Sequence, residues 1–479
     1  MAASRSITTD EKSFVDTLTR LALLLLVVGR AAAGRTESDI WGHMSIGLDM
    51  LRDRHFLWVD PYSFTHDQRW INHEWLWDLI VAAIYRGGGL AALVAFRALL
   101  VGAVLWIVER ATRGLPGWLR IGALALVAVA CAGQWQSTRP QIATLTLYAV
   151  LLVNLDAWWL PLLFLLWANV HGGWTFGIGV LLIHAIASRS VRTMGVAAAC
   201  VLATLVNPYG VQLWIAIAEA MSRGWADVSE WQPVWRLAAG ADALVLWAIV
   251  LAAVAGAWRH ARPALWARAW ILIALAAAAG SRRLTALAAV TAVLLFAPAW
   301  VSTQEVIAVR WTSVRRRIAA GVLAVAAAAA LMMIQPSLRC FPPLPEWNAP
   351  EPEAVAFLRS TSVTRLVPHF DFGEYAIFHL RDRMKVAMDN RRETVYSDAA
   401  VQENQRFTDG VDPEYPDRVG ADAVWWPAGQ TTVIEGLERR GWVRRFEGPF
   451  ETPDPKQLGF EIPKALRDKW DAEDEANKK

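Results

Sequence analysis

Four residues able to carry a proton fall in two short neighbouring stretches. Asp39 and His43 belong to Ser38-Asp39-Ile40-Trp41-Gly42-His43, and His73 and Glu74 to Trp70-Ile71-Asn72-His73-Glu74-Trp75. Asp60-Pro61-Tyr62-Ser63-Phe64-Thr65 runs between them, and long apolar segments lie on both sides. A carboxylate beside such a segment is partly desolvated, which raises its pKa and suits it to take a proton from a hydroxyl. Asp39 is the first choice for that base, with His43 and Glu74 as catalytic partners and His73 as a substrate contact. Plainer roles compete: Asp39 capping the helix that follows, and His73-Glu74 opening the next one. The same four side chains also offer mixed nitrogen and oxygen ligands compatible with a divalent cation, although their spacing does not require one.

These groups depend on apolar segments for their position. Of 479 residues, 55% are hydrophobic and 19% charged, and mean hydropathy is +0.29. Apolar runs of about 18 residues or more recur, the length that spans a bilayer. Spans are expected near 15–34, 90–108, 118–134, 140–154, 157–170, 174–188, 192–206, 241–258, 266–280, 284–300 and 317–335, about eleven in all. The chain therefore reads as a polytopic α-helical membrane protein. The N-terminus has the charge and Ala31-Ala32-Ala33 of a signal peptide, but Arg30 interrupts the apolar run, so an uncleaved first helix is expected. Three cysteines, Cys131, Cys200 and Cys340, form neither a disulfide framework nor a CxxC metal site.

Orientation follows from Lys and Arg in the short loops. Arg110, Arg113 and Arg120, then Arg189 and Arg192, then Arg259, Arg262 and Arg268, then Arg310 and Arg315 to Arg317 mark one side as cytoplasmic. The N-terminus joins that side, while 35–89, the short aromatic loops and everything after 335 face outward. Arg139, Arg282 and Arg283 run against this bias, since they sit at outer helix ends. A guanidinium fork there suits a lipid phosphate, although an ordinary interfacial arginine would look the same in sequence. His171 lies in the outer loop that carries Trp174 and Glu230 in the one that carries Trp231 and Trp235, and both join the substrate-binding candidates. Within the first outer loop, Asp39 to Leu51 and Glu74 to Tyr85 are expected as two short helices on the membrane surface, the second set apart by Gly87-Gly88-Gly89. No face gathers enough basic residues to follow a nucleic acid, which is discounted.

After residue 340 the composition becomes that of a soluble domain. The chain divides into a transmembrane domain, 1–340, and an extracytoplasmic domain, 341–479. A proline-rich linker is followed by a helix at 351–359, a strand at 364–368, a helix at 373–380, a strand at 384–388, a helix at 399–407, a strand at 423–426, a helix at 432–440 and a strand at 442–446, the alternation of a small α/β domain with a charged tail. Asp371-Phe372-Gly373 has the letters of a kinase motif without its companions and reads as a strand-to-helix turn. No Walker loop, dinucleotide fingerprint, HExxH motif or nucleophile elbow occurs, so nucleotide- or redox-driven chemistry is not expected.

With Asn207-Pro208-Tyr209-Gly210 and Asp371-Phe372-Gly373-Glu374-Tyr375, the motifs quoted above resemble those of uncharacterised bacterial membrane proteins. The overall plan resembles the GT-C fold of polyprenyl-phosphate-sugar-dependent glycosyltransferases, the protein mannosyltransferase and aminoarabinose transferase group. That resemblance implies a GT-C-like fold in a bacterial plasma membrane, a polyprenyl-phosphate sugar donor and a glycan, lipid or protein acceptor. It also implies an acidic base at Asp39 and phosphate-binding arginines at Arg139, Arg282 and Arg283. The sequence departs from better-known members in having Ser38, not a second acid, directly before Asp39. A lipid-linked substrate flippase and a non-catalytic envelope assembly protein are the alternatives. A flippase would place ionisable residues in mid-span, where Arg97 is the main exception in an otherwise apolar set.

Overall fold

Apolar runs become helices because the backbone must satisfy its own hydrogen bonds wherever water is excluded. The computed structural model describes residues 9–32, 38–222, 229–236, 242–260, 263–301, 352–447 and 457–461. Among these, twelve helices precede residue 302: α1 Thr9–Ala32, α2 Ser38–Asp53, α3 Trp75–Ala111, α4 Gly117–Cys131, α5 Gln141–Leu152, α6 Leu160–Val170, α7 Trp174–Ser188, α8 Val191–Ala203, α9 Val211–Ser222, α10 Asp242–His260, α11 Leu265–Gly280 and α12 Thr285–Val301. Ten of them overlay the expected spans up to residue 300, α2 and α9 being the others. The expected span at 317–335, the proline linker and the charged tail lie outside the described residues. By length and composition, Trp75–Ala111 and Arg282–Ala299 are fit to cross a membrane, and nine shorter apolar helices accompany them among the described residues.

The molecule divides into two compact units, one made of Met1–Gly34 and Gly88–Phe341, the other of Arg35–Gly87 and Pro342–Lys479. The loop 35–87, expected within the transmembrane domain, therefore packs with the C-terminal region. The division falls inside α3, where Gly88 and Gly89 leave helical geometry and Gly89 takes φ +63°, a conformation glycine adopts without steric cost.

In the first unit the helices meet through small residues and shared polar groups. Ala286, Ala288, Ala289 and Ala292 of α12 are buried, which lets neighbouring backbones approach. Tyr148 of α5 bonds the Thr291 hydroxyl of α12 (2.6 Å) and accepts from the Trp270 indole of α11 (2.8 Å), a buried chain that ties three helices together.

The second unit is built on a five-stranded sheet, β1 Arg365–Pro368, β2 Lys385–Val386, β3 Ala423–Pro427, β4 Val443–Glu447 and β5 Gln457–Glu461, in the order β2-β1-β3-β5-β4. The pairings β2-β1 and β1-β3 are parallel, β3-β5 and β5-β4 antiparallel. Val424 and Trp426 face a core with Phe407, Val433, Ile434 and Leu437 from helices α16 (Asp398–Thr408) and α18 (Thr431–Arg439), while Trp425 points to the other face and meets Phe372 at a centroid distance of 5.6 Å. The remaining helices are α13 (Pro352–Arg359), α14 (Gly373–Leu380), α15 (Arg392–Val395) and α17 (Tyr415–Arg418). Strand β5 had no counterpart in the sequence reading.

Segment 60–65 extends this sheet beyond β2. Ser63 bridges Val386 in parallel, with Val386 N–H donating to the Tyr62 carbonyl (2.9 Å) and Phe64 N–H to the Val386 carbonyl (3.1 Å). Arg391 locks the junction: its guanidinium pairs with Asp389 (2.6 Å) and Asp60 (2.8 Å), and Asp60 in turn accepts from the N–H groups of Tyr62 and Ser63. Helix α2 packs on α14, with Trp41 against Tyr375 (5.1 Å) and Phe378 (4.9 Å). Ten of its sixteen residues are buried, so α2 is mainly a core helix of this unit, with Leu48 and Leu51 half-buried.

Candidate active site

Asp39 stands in the first turn of α2, where an acid is favoured by the helix dipole. Its Oδ1 accepts from the Asn390 side-chain amide at 2.6 Å and from the Ser38 hydroxyl at 3.3 Å, and the same amide reaches Ser38 Oγ at 2.6 Å. The carboxylate is thus oriented by a residue 351 positions away. One turn on, Gly42 N–H donates to Glu374 Oε2 of α14 at 3.3 Å. Glu374 is 4% exposed; burial, then the charges of Asp39 and Asp389, push its pKa well above the ordinary range against the weaker pull of Arg391 and the Gly42 N–H. Gly42 is small because a Cβ there would lie 2.4 Å from the Glu374 carboxyl carbon.

His43 extends from α2 to the start of α3. Its Nδ1 donates to Asp78 Oδ1 at 2.6 Å, and the second oxygen of Asp78 accepts from Asn72 at 2.7 Å. A buried carboxylate held at both oxygens fixes the imidazole orientation and its tautomer. Burial opposes charge on His43, but the hydrogen bond and charge of Asp78, then Glu74 and Asp39, leave its pKa above 6.5. The other ring nitrogen, Nε2, lies 4.0 Å from Glu74 Oε2, and His73 Nε2 lies 3.5 Å from Glu74 Oε1. Glu74 precedes α3, whose entry Asn72 secures by accepting from the Glu74 N–H (3.1 Å). Asp39, His43, His73 and Glu74 therefore share one neighbourhood. Among the described residues, no group of three or more His, Cys, Asp or Glu is arranged to hold a metal ion.

The expected substrate contacts of the first unit separate into two places. Arg283 Nη1 donates to Glu230 Oε1 at 2.8 Å, Arg139 Nη1 lies 3.5 Å from the same oxygen, and the Arg283 guanidinium covers the Trp231 ring at 5.0 Å. The Arg283 carbonyl accepts from Gln134 (2.6 Å), and the Arg282 N–H donates to the Gln232 carbonyl (3.1 Å). His171 belongs elsewhere: its Nδ1 accepts from the Thr144 hydroxyl (2.8 Å) and from Gly173 N–H (3.0 Å), while Thr144 accepts from the Trp167 indole (2.9 Å). Those bonds fix the turn between α6 and α7. Asn207-Pro208-Tyr209-Gly210 is likewise a turn, with the Asn207 side chain accepting from Tyr209 N–H (2.8 Å) and Gly210 at φ +54°.

Asp78, Asn72, Glu374 and Asn390 were missed in the sequence. Asp78 had a signal, an acid among the apolar residues of Trp75 to Ile84 and four positions after Glu74. Glu374 was hidden in a motif read for its kinase-like letters, and Asn390 carries no local signal.

No protein-family model matches the chain, nor does any curated protein. Among solved structures it is similar to the arabinofuranosyltransferase AftD from Mycobacteria, at 15% identity over 96% of this chain and 40% of that one, with a TM-score of 0.47. It is also similar to ArnT from Cupriavidus metallidurans bound to undecaprenyl phosphate, at 13% identity over 94% of this chain and 98% of that one, with a TM-score of 0.49. Both are GT-C glycosyltransferases, the group whose overall plan this sequence resembles. The chain spans only 40% of the length of AftD.

Proposed function

We propose that the protein is a membrane glycosyltransferase that moves a sugar from a polyprenyl-phosphate donor to an extracytoplasmic acceptor, with inversion. Asp39 takes the proton of an acceptor hydroxyl, and the acceptor oxygen forms its bond to the anomeric carbon. The bond from that carbon to the phosphate oxygen breaks with its electron pair on the phosphate, which departs as polyprenyl phosphate. Arg139 and Arg283 are assigned to the phosphate, whose growing charge is where electrostatic stabilisation counts most. His43, oriented by Asp78, and Glu74 supply further proton capacity in the neighbourhood of Asp39.

The observation that carries this reading is the orientation of Asp39 by Asn390 and Ser38. An acid serving only its own helix needs no amide donor from a distant segment; a base does, because the oxygen that takes the proton must be aimed. The test is formation of polyprenyl phosphate by the purified full-length protein, followed by mass spectrometry across a panel of polyprenyl-phosphate sugars with envelope acceptors. Asp39→Asn is expected to lower turnover by about 10² to 10⁴, the usual worth of a general base, with donor binding retained. Turnover equal to wild type in that variant removes Asp39 from the role.

A further inference from the structure

Two arginines of the first unit converge on one carboxylate oxygen, and the three side chains differ in how firmly they are held. Arg283 is 18% exposed and Arg139 26%, whereas Glu230 is 42% exposed. Arg283 is fixed by the Trp231 ring and by the Gln134 amide on its own carbonyl. Glu230 sits on the three-residue turn Ser229–Trp231, so the acid is the component open to solvent and easiest to turn away. A carboxylate offers two oxygens to a guanidinium, and a phosphate presents the same acceptors with at least equal charge.

We infer that Glu230 is an internal stand-in for phosphate: it occupies the Arg139–Arg283 pair when no ligand is bound and is displaced by the phosphate group of the ligand. The inference rests on the assignment of those arginines to phosphate and adds the way in which that site is regulated. Glu230 then does not contact substrate, as the sequence suggested, but competes with it. Its engagement reduces the fraction of protein ready to bind; a carboxylate engaged nine-tenths of the time weakens apparent affinity about tenfold.

The test is titration of the purified full-length protein in detergent with undecaprenyl phosphate, read by native mass spectrometry, with inorganic phosphate as a second probe. Glu230→Gln keeps the shape and removes the charge, and Glu230→Ala removes the side chain; each is accepted only if it elutes and melts as wild type does. Both are expected to tighten undecaprenyl phosphate binding by about tenfold, while Arg139→Gln and Arg283→Gln lose it. Tightening toward both probes assigns the site to the phosphate group alone, and tightening toward the lipid only assigns it to a lipid headgroup; either result supports displacement. If the arginine variants lose binding but the Glu230 variants bind no better than wild type, displacement is overturned and the arginine assignment stands. If the arginine variants bind as wild type does, the assignment itself falls, and the inference with it.

Discussion

At the scale of single residues, Glu374 is the group whose behaviour is easiest to read outside the proposed reaction. It is buried beside Asp39 and Asp389, and its pKa stands well above the ordinary 4.5. The unfolded chain therefore releases this proton at lower pH than the folded one. Across the window from about 4.5 upward the native state holds more protons than the unfolded state, so its stability falls as pH rises. Glu374→Gln keeps an acceptor for Gly42 N–H and removes the titration. Melting curves of the full-length protein between pH 4.5 and 8 should show the variant declining less steeply than wild type, and a parallel decline would mean that Glu374 is ionised in the fold. His43 has the same sign by a different route: its raised pKa favours the charged imidazolium, so the stability it adds through Asp78 is full below about pH 6.5 and is lost as pH rises through its folded value.

Among the elements, α2 decides whether the proton-carrying groups share a neighbourhood. Two glycines let it seat. Gly42 admits the Glu374 carboxyl, and at Gly47 a Cβ would stand 2.0 Å from the Asp78 carbonyl oxygen and 2.6 Å from Ala82 Cβ. The first obstacle at Gly47 is backbone, which cannot rotate aside. Gly47→Ala is therefore expected to push α2 from α3, costing about 1–3 kcal/mol as overpacking does and lengthening the His43–Asp78 contact. Thermal denaturation checks the first effect; the pH dependence of the His43 imidazole nitrogen resonances checks the second, since a detached imidazole returns toward pKa 6.5. A wild-type melting temperature would show that the helices are looser than their contact implies. The same reasoning explains Gly373 at the head of α14, where a Cβ would meet the Met388 carbonyl oxygen at 2.5 Å.

For the whole molecule, the expected topology places the second unit outside the cell and the Arg189–Arg192 loop inside. Val411 is 62% exposed and Val191 86%, so both accept a probe. On a background with the three native cysteines replaced, a membrane-impermeant maleimide is expected to label Val411→Cys in intact cells and Val191→Cys only after permeabilisation. The reverse pattern would invert the chain and put Asp39 on the cytoplasmic side. The division of the molecule matters here too: the loop that carries Asp39, His43, His73 and Glu74 belongs with the C-terminal sheet, so the C-terminal region is part of the proposed catalytic apparatus, since it supplies Asn390 and Glu374.

What the sequence determined by itself is what depends on neighbours along the chain. Apolar runs marked the helices up to residue 300, because hydrophobic length is a local quantity. The alternation after residue 350 marked helices α13, α14, α16 and α18 and four of the five strands. The break at Gly87-Gly88-Gly89 was legible for the same reason, as was the gathering of Asp39, His43, His73 and Glu74. Tertiary structure alone decided which groups answer them. Asn390 reaches Asp39 across 351 positions, and Glu374 reaches the Gly42 N–H across 332; no spacing rule joins residues so far apart. It also turned α2 from an expected surface helix into a core one and set Glu230 on the arginines. These outcomes depend on which surfaces exclude water together, and that is settled only when the distant parts of the chain have packed.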